Sequence, residues 1–490
     1  MGSSVKLTLY GGVNKVGGNK VLLEDNVYDV KVFIDFGINS SEFSHLKAKN
    51  PDPTKVEQLV NNHILPRDED LPIQNLYSKH FIYDHNKYKF REKVRDCENK
   101  VDPPSNLDGI LISHPHRDHY QGLSFVNRNI PIYAGVVTKR IIKASSLCMP
   151  PKFENFLYGL QWTRFRTGNT INIKGMEIFP VHVDHSIPAA YGFIICTSAG
   201  IIVYSGDFRM HGPLQLMTAD LIRKARELSE EKRNNIKYLI CEGTHINKGA
   251  IESERAVKQH LRKLFNYMLF DYFLVHYDRV NWDRFRTYVN IAKKFGWKFI
   301  ITEKDAYFYN RLNMKAVYDT MKDPNIEADK DILILSQDDT KLPWKKSLNE
   351  LLGKSEMTPR RISIDDLKTL EGKFFLYFAS NWDYNKIKNY LPPNLRGAFI
   401  CSNVDPYAED YRFYKNKISN ELFEKGIPSY RIHSSGHAKV HDLIRFVNEI
   451  NPEYLIPIHT NYPEAFEKIF RNENIKIILP IREIPIEVDC

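Results

Sequence analysis

Short apolar runs with alternating polar positions mark the start of the chain. "VKLTLYGG" (5–12) alternates, "NKVLLE" (19–24) follows a glycine-rich turn, and "VFIDFG" (32–37) is a third run of the same kind. Period-two alternation and β-branched runs predict strands, because successive strand residues point to opposite faces. Further strands are predicted at 107–113 ("LDGILIS"), 177–183, 191–197, 201–207 and 237–243, with a charged helix over 221–235. From about residue 246 the rhythm changes. Strands at 272–277, 298–302, 331–336, 373–380 and 397–402 alternate with helices at 284–296 and 306–313. That alternation predicts a parallel, doubly wound α/β domain. The last stretch returns to the first style, with a helix over 440–450 and a strand over 454–461.

At 490 residues the chain exceeds one ordinary core, so two domains, or one with a large insertion, are expected. Residues 39–105 carry mixed charges with scattered tyrosines and prolines and read as a surface insertion. Tyr83, Tyr88, Phe90 and Arg91 are residue types that line substrate channels; a solvated cover packed over one edge is the simpler reading. "GGVNKVGGNK" (11–20) lacks the Gly-Lys-Ser/Thr ending and the following helix of a phosphate loop, so it reads as a hairpin turn. A net charge of +9 admits an anionic partner without requiring one. The six cysteines include no C-x-x-C pair and are expected to be reduced thiols in a cytoplasmic protein. No signal peptide or membrane span is expected.

The chemistry concentrates in "SHPHRDHYQG" (113–122), where His114, His116, Asp118 and His119 fall within six residues just after a buried strand. Imidazole nitrogens and carboxylate oxygens are zinc ligands, and a loop at a strand end can aim several at one point. A chance histidine-rich loop is the alternative. It loses ground because His185, Asp207 and His459 also follow apolar strands ("FPVHVD", "IIVYSGD", "YLIPIH"), and strand ends are where layered α/β domains gather site residues.

The ordered set Asp35 ("IDFG"), H-x-H-x-D-H (114–119), His185 and Asp207 resembles the metallo-β-lactamase-fold hydrolases. Glu242 in "CEGTH", His437 in "HSSGHA" and His459 in "PIHTN", separated by an α/β insertion, resemble the β-CASP branch, and "HSIPAAYG" and "IHSSGHA" resemble ribonuclease J. The resemblance implies an α/β chain: an αββα sandwich over 1–245 (with 39–105 a family-variable insertion) and 414–490, interrupted by a β-CASP domain at 246–413. It implies two Zn2+ ions, with Mn2+ or Mg2+ as substitutes. His114, His116 and His185 would hold one, Asp118, His119 and His459 the other; Asp207 would bridge, and Asp35 would orient ligands from behind.

The implied reaction is hydrolysis of single-stranded RNA to 5′-phosphate and 3′-hydroxyl products. Asp118 and Asp207 would serve at the metals, and His437, oriented by Glu242, would act as general acid. Ser435, Gly436, Ser380 and Thr244 would contact substrate, with Asn381 and Ser402 as weaker candidates. Arg279, Arg284 and Arg286 of the inserted domain would meet the backbone. A histidine at position 459 goes with RNA-processing members of the family. A DNA nuclease of the same branch and a non-catalytic subunit of an RNA-processing complex are the alternatives, and the chain is expected to be a monomer or homodimer. His182, His433 and His276 read as packing histidines, and His245 as a weak candidate for the cleft. Two features depart from ribonuclease J: only about 30 residues follow His459, and "FASNWDYNK" stands where the family has a Gly-Ser-rich phosphate loop.

Overall fold

The computed structural model of the chain describes residues 4–49, 56–78, 102–148, 157, 159–250, 252–266, 269–312, 329–336, 349, 361–403, 409–471 and 474–488. Tyr83, Tyr88, Phe90 and Arg91 lie outside these residues. The chain divides into two compact units, Met1–Ala250 with Gly436–Cys490, and Ile251–Ser435.

The strands of the first unit, in chain order, are β1 (Val5–Gly11), β2 (Lys20–Asp25), β3 (Val30–Ile34), β4 (Gly109–Ile112), β5 (Pro131–Gly135), β6 (Gln161–Phe165), β7 (Ile171–Ile173), β8 (Met176–Val183), β9 (Ala190–Thr197), β10 (Gly200–Tyr204) and β11 (Ile236–Glu242). The second unit supplies β12 (Tyr272–His276), β13 (Lys298–Thr302), β14 (Ile332–Leu335), β15 (Arg361–Ile362), β16 (Phe374–Phe378), β17 (Gly397–Cys401) and β18 (Ser429–Arg431). The chain then returns to the first unit for β19 (Tyr454–Ile458), β20 (Lys476–Ile477) and β21 (Pro485–Val488).

The first unit is an αββα sandwich. One sheet runs β21-β1-β2-β3-β4-β5-β6 and the other β20-β19-β11-β10-β9-β8-β7. Alternate residues of each strand point inward and outward. On the first sheet Tyr10, Leu22, Phe33, Ile110 and Ile132 face outward into an apolar cluster. Leu59, Ile64, Leu65, Ile73 and Leu76 of the 39–105 segment complete that cluster, so the described part of the insertion is an apolar cover over this sheet. On the second sheet Ile194, Val203, Leu239 and Leu455 face outward against helices Gln215–Lys232 (Leu221, Ala225) and Val440–Ile450 (Leu443, Phe446, Val447). Inner-face residues such as Leu7, Leu23, Ile34, Ile195, Ile202 and Ile240 are fully buried. Strands buried on both faces read as continuous apolar runs, which is why "LDGILIS" and "IIVYSGD" look as they do.

The second unit is a seven-stranded parallel sheet in the order β15-β14-β13-β16-β12-β17-β18. Tyr272 and Leu274 face one side, toward Tyr384 and Ile387 of helix Asn381–Ile387 and Leu422 of helix Glu409–Glu424. Phe273 faces the other, toward Phe265 of helix Glu254–Asn266. Helices on both faces make it doubly wound. The segment to Ser435, read from sequence as a return to the first domain, lies in this unit because β18 adds to the sheet beside β17.

Candidate metal centre

The candidate ligands sit just past strand ends, except Asp118 and His119, which lie in the short helix Arg117–Tyr120 after β4. β3 leads into Asp35, β4 into Ser113 and His114, β8 into His185, β10 into Asp207 and β19 into His459. β3 and β4 are parallel, as are β10, β11 and β19, so these ends share one edge of their sheets. Asp35 and His459 both adopt a left-handed backbone (φ 57° each), a conformation uncommon outside glycine that turns each side chain out of its strand.

Three groups of ligand atoms form among the described residues, the atoms of each within 4.8 Å of one another: Asp207, His437 and His459, and two more, His114, His116, His185 and Asp207, and Asp118, His119 and His459. Asp207 Oδ2 stands between them, 3.5 Å from His114 Nε2, 3.1 Å from His119 Nε2 and 3.5 Å from His459 Nε2. The sequence-predicted ligands are therefore brought together around Asp207.

Hydrogen bonds behind the rings decide which nitrogen faces inward. Asp35 is the hub. Its Oδ1 accepts from the Ser113 backbone N–H (2.8 Å), and its Oδ2 from the Ser113 hydroxyl (2.8 Å), His119 Nδ1 (2.7 Å) and the Tyr204 hydroxyl (2.7 Å). The Ser113 hydroxyl, donating to Asp35, accepts from His114 Nδ1 (3.0 Å). His185 Nδ1 donates to the Gly436 carbonyl (2.5 Å). His459 Nδ1 donates to Thr244 Oγ1 (2.8 Å), whose own proton goes to the His459 carbonyl (3.2 Å). With each Nδ1 proton committed, Nε2 presents a lone pair to the centre.

The donor set fits divalent cations. His114 Nε2 and His185 Nε2 point at His116 Nδ1 from 2.9 and 3.1 Å, a meeting of lone pairs that a single proton cannot satisfy. His459 Nε2 faces Asp118 Oδ2 at 3.2 Å, and the buried His119 Nε2 and Asp207 Oδ1 have no hydrogen-bond partner. Burial, together with the neighbouring imidazoles, holds His114 and His185 well below the usual histidine range, in the neutral form that ligates metal. Burial opposes charge on His119 too, but Asp207, Asp35 and Asp118 outweigh it and raise that ring's proton affinity. The same carboxylate field attracts a metal cation in the proton's place. Burial likewise opposes ionisation of Asp118 and Asp207, and the surrounding histidines more than offset it.

Glu242 and His437 stand beside this centre. Glu242 Oε2 accepts from the Thr244 N–H (2.9 Å) and its Oε1 lies 3.2 Å from His437 Nδ1. Burial lowers the proton affinity of His437, but Glu242 foremost, with Asp207 and Asp118, raises it above the usual range. His437 Nδ1 also lies 3.9 Å from Asp207 Oδ2.

Several sequence expectations change. Gly436, expected at the substrate, is the backbone acceptor for His185; a side chain there would meet His185 Cε1 at 2.8 Å. Thr244 spends its hydroxyl on His459 and lies 3.2 Å from His437 Nδ1, so it orients two rings. Ser380 is the N-cap of helix Asn381–Ile387, accepting from the Asp383 N–H and donating to its carboxylate (2.6 Å). Ser435 is 4% exposed, and Ser402 is fully buried against Tyr288 (2.8 Å) and the Ile432 carbonyl. Arg284, expected at the nucleic-acid backbone, is fully buried on Glu254 (3.0 Å), and Arg279 is paired with Asp305. Arg286 lies 3.9 Å from Asp283. His182, His276 and His433 bond to Thr167, the Phe378 carbonyl and the Ser402 carbonyl, as packing histidines do, and His245 is buried.

Other parts were missed. Tyr204 and Asn19, joined at 3.0 Å, extend the Asp35 hub. The "GGVNKVGGNK" stretch is a hairpin turn, but not an idle one. Gly18 and Asn19 N–H both donate to the Asp118 carbonyl (3.0 Å each), and the Gly12 carbonyl accepts from His459 N–H (2.8 Å). Gly17 (φ 86°) packs so closely on Asp118 that a side chain would strike its carboxylate. Repeated glycines beside an expected ligand were the available signal.

Comparison with known proteins bears on this arrangement. The family profile described as a beta-lactamase superfamily domain matches residues 86–228, and that described as a Zn-dependent metallo-hydrolase RNA specificity domain matches 430–480. Ribonuclease J of Sinorhizobium meliloti is 24% identical over 366 residues, 72% of this chain and 58% of that protein. Ribonuclease J 2 of Staphylococcus saprophyticus is 22% identical over 377 residues, 75% of this chain and 61% of that one. The chain thus spans about 60% of the length of these curated relatives. In fold it is similar to a crystal structure of a protein of unknown function from Enterococcus faecalis V583, with a TM-score of 0.70, 22% identity, and coverage of 98% of this chain and 99% of that one. No helix among the described residues is long and apolar enough to cross a membrane. The sandwich with its ligand-bearing strand ends, the doubly wound insertion and these matches together support a metallo-β-lactamase-fold protein similar to the β-CASP, ribonuclease J-like proteins.

Proposed function

We propose that the chain is a metal-dependent nuclease that hydrolyses phosphodiester bonds of single-stranded RNA, leaving 5′-phosphate and 3′-hydroxyl ends. The observation that carries this reading is Asp207 Oδ2, within 3.5 Å of a ring nitrogen from each of two histidine groups, with the Glu242–His437 pair alongside. His114, His116 and His185 would hold one Zn2+, Asp118, His119 and His459 a second, and Asp207 both. Ions there supply Lewis acidity toward phosphoryl oxygens and lower the pKa of water to near 7.

The protein's own groups do the rest. Asp35, through Ser113 and His119, keeps the ligand rings aimed inward. His437, held by Glu242, delivers a proton to the departing 3′-oxygen, a task for an imidazole near neutral pH. Support for RNA comes from the matched RNA specificity domain and from the names of the relatives.

The test is a time course on 5′-labelled and 3′-labelled single-stranded RNA, each with 5′-phosphate or 5′-hydroxyl, beside DNA of the same sequence, using wild type and His114→Ala/Asp207→Ala. The expected result is RNA cleavage that needs zinc and is lost with metal binding in the double variant. Cleavage that survives in metal-free protein overturns the mechanism, and DNA cleaved in preference to RNA reassigns the substrate.

A further inference from the structure

Positive charge is unevenly spread along the first unit. Residues 119–176 contain eight lysines and arginines and one acidic residue, Glu154, while the whole chain carries +9. The metal centre uses none of these cations. Arg128 is engaged with backbone carbonyls and Lys174 with Asp108 and Asp29. Lys152 lies outside the described residues, and the other five gather in one place. Lys139, Arg140 and Lys143 lie on helix Val136–Cys148; Arg164 lies on β6 and Arg166 just beyond it.

β6 is the edge strand of its sheet. Its Phe165 turns inward onto Tyr191 and Phe193 of the second sheet, so Trp162 and Arg164, of opposite parity, face outward with the helix. Lys139 Nζ lies 5.5 Å from the Trp162 ring centroid, which brings helix and strand cations around one half-buried aromatic. Burial first, then the like charges of Lys143 and Arg164, lowers the proton affinity of Lys139. Lys143, Arg164 and Arg166 are exposed, and none of these three or Lys139 pairs with a carboxylate among the described residues. β6 runs parallel to β5 and β5 to β4, so Arg166 lies at the edge from which His114 emerges. Phe165 packs on Tyr191, whose N–H donates to the Ser113 carbonyl (3.0 Å), next to His114.

We propose that the outer face of β6 and the adjoining helix face form a track for single-stranded RNA leading to the metal centre, with Lys139, Lys143, Arg164 and Arg166 on phosphates and Trp162 stacked on a base. Unpaired cations that repel one another, set around an aromatic ring, match a polyanion with flat bases. This inference rests on the reading of the chain as a ribonuclease. Charges on an edge strand also guard against strand-to-strand association, but that need does not call for lysines on the neighbouring helix or for a tryptophan between them.

The test uses the full zinc-loaded chain with two substrates, a 20-nucleotide single-stranded RNA and bis(p-nitrophenyl) phosphate, which is too small to reach the track. Arg164→Ala/Arg166→Ala is expected to raise KM for RNA about tenfold and to reduce the slope of log affinity on log salt by about 0.7 per lost phosphate contact. Trp162→Ala should raise KM about 5-fold or more, with Trp162→Phe close to wild type. Turnover of the small diester should stay within about twofold in every variant. Lys143→Ala, at an exposed helix position, gives an independent variant should the arginine pair fail to fold. RNA kinetics and salt slope equal to wild type, with or without aggregation by light scattering, overturn the track while leaving the ribonuclease reading intact. Wild type that hydrolyses the small diester but no RNA removes both.

Discussion

Tyr204 donates its hydroxyl proton to Oδ2 of Asp35 at 2.7 Å. The same oxygen accepts from His119 Nδ1 at 2.7 Å, so a phenol on β10 helps to set a ring on the far side of the sandwich. Removing a partner one step behind a metal ligand typically costs 10–100-fold in metal affinity. Tyr204→Phe keeps the ring and loses only the hydroxyl. We expect zinc affinity to fall about 10-fold or more with the thermal transition nearly unchanged. Chelator competition measures it, and equal affinity removes Tyr204 from the centre.

His437 and Glu242 separate chemistry from metal binding. His437→Ala is expected to retain zinc and to slow cleavage by on the order of 10²–10⁴. Glu242→Gln should also slow cleavage, because it removes the charge that foremost raises the proton affinity of His437. Metal content by elemental analysis beside single-turnover rates decides this. A wild-type rate for His437→Ala rules out the proton-donor role.

Arg209 and Asp184 form a fully buried ion pair, Nε to Oδ1 at 3.1 Å, that ties the His185 loop to the Asp207 loop. The Arg209 N–H also donates to the Asp184 carbonyl (2.7 Å). Breaking a buried pair strands a charge and typically costs about 3–5 kcal/mol. Arg209→Met should show a loss of that order in denaturant unfolding, and Arg209→Met with Asp184→Leu should recover part of it. A single variant as stable as wild type contradicts this account.

Lys20 is fully enclosed, and its ammonium donates to the carbonyls of Gly18 (2.9 Å) and Gly37 (2.7 Å), which join the glycine loop to the Asp35 turn. Burial pushes its pKa down to about 7. The unfolded lysine titrates near its ordinary value, roughly 10.4, so between about pH 7 and 10 the unfolded state binds more protons. Stability from this group therefore rises with pH across that window, by at most about 1.4 kcal/mol per pH unit, and the cost of burying the charge is greatest below it. Lys20→Met should lack that component. Denaturation at pH 7 and pH 9 checks the sign, and an identical pH response in both proteins refutes it.

Much of the centre was legible before any fold was known. The residue types of His114, His116, Asp118 and His119 are dense enough to mark a ligand loop, and His185, Asp207 and His459 each end an apolar run. Strand periodicity is a local property, so strand ends can be read locally, and metal ligands come from a short list of side chains. The doubly wound insertion was readable for the same reason, since alternation of strand and helix needs no knowledge of partners.

What only the tertiary structure decided is the set of contacts between residues distant in sequence. Gly436 and Thr244 read as substrate contacts but hold His185 and His459 in place, across separations of 251 and 215 residues. The glycines at 12–18 read as a turn but support Asp118 and His459. Tyr204, Asn19 and Arg209 gave no sign, because an apolar strand's last residue or a loop's arginine has a meaning only once its neighbours are known. Residue types determined which atoms are able to bind a metal or carry a proton. The packing of two sheets, a long-range outcome of burying both faces of each strand, determined which of those atoms meet and which nitrogen each ring presents.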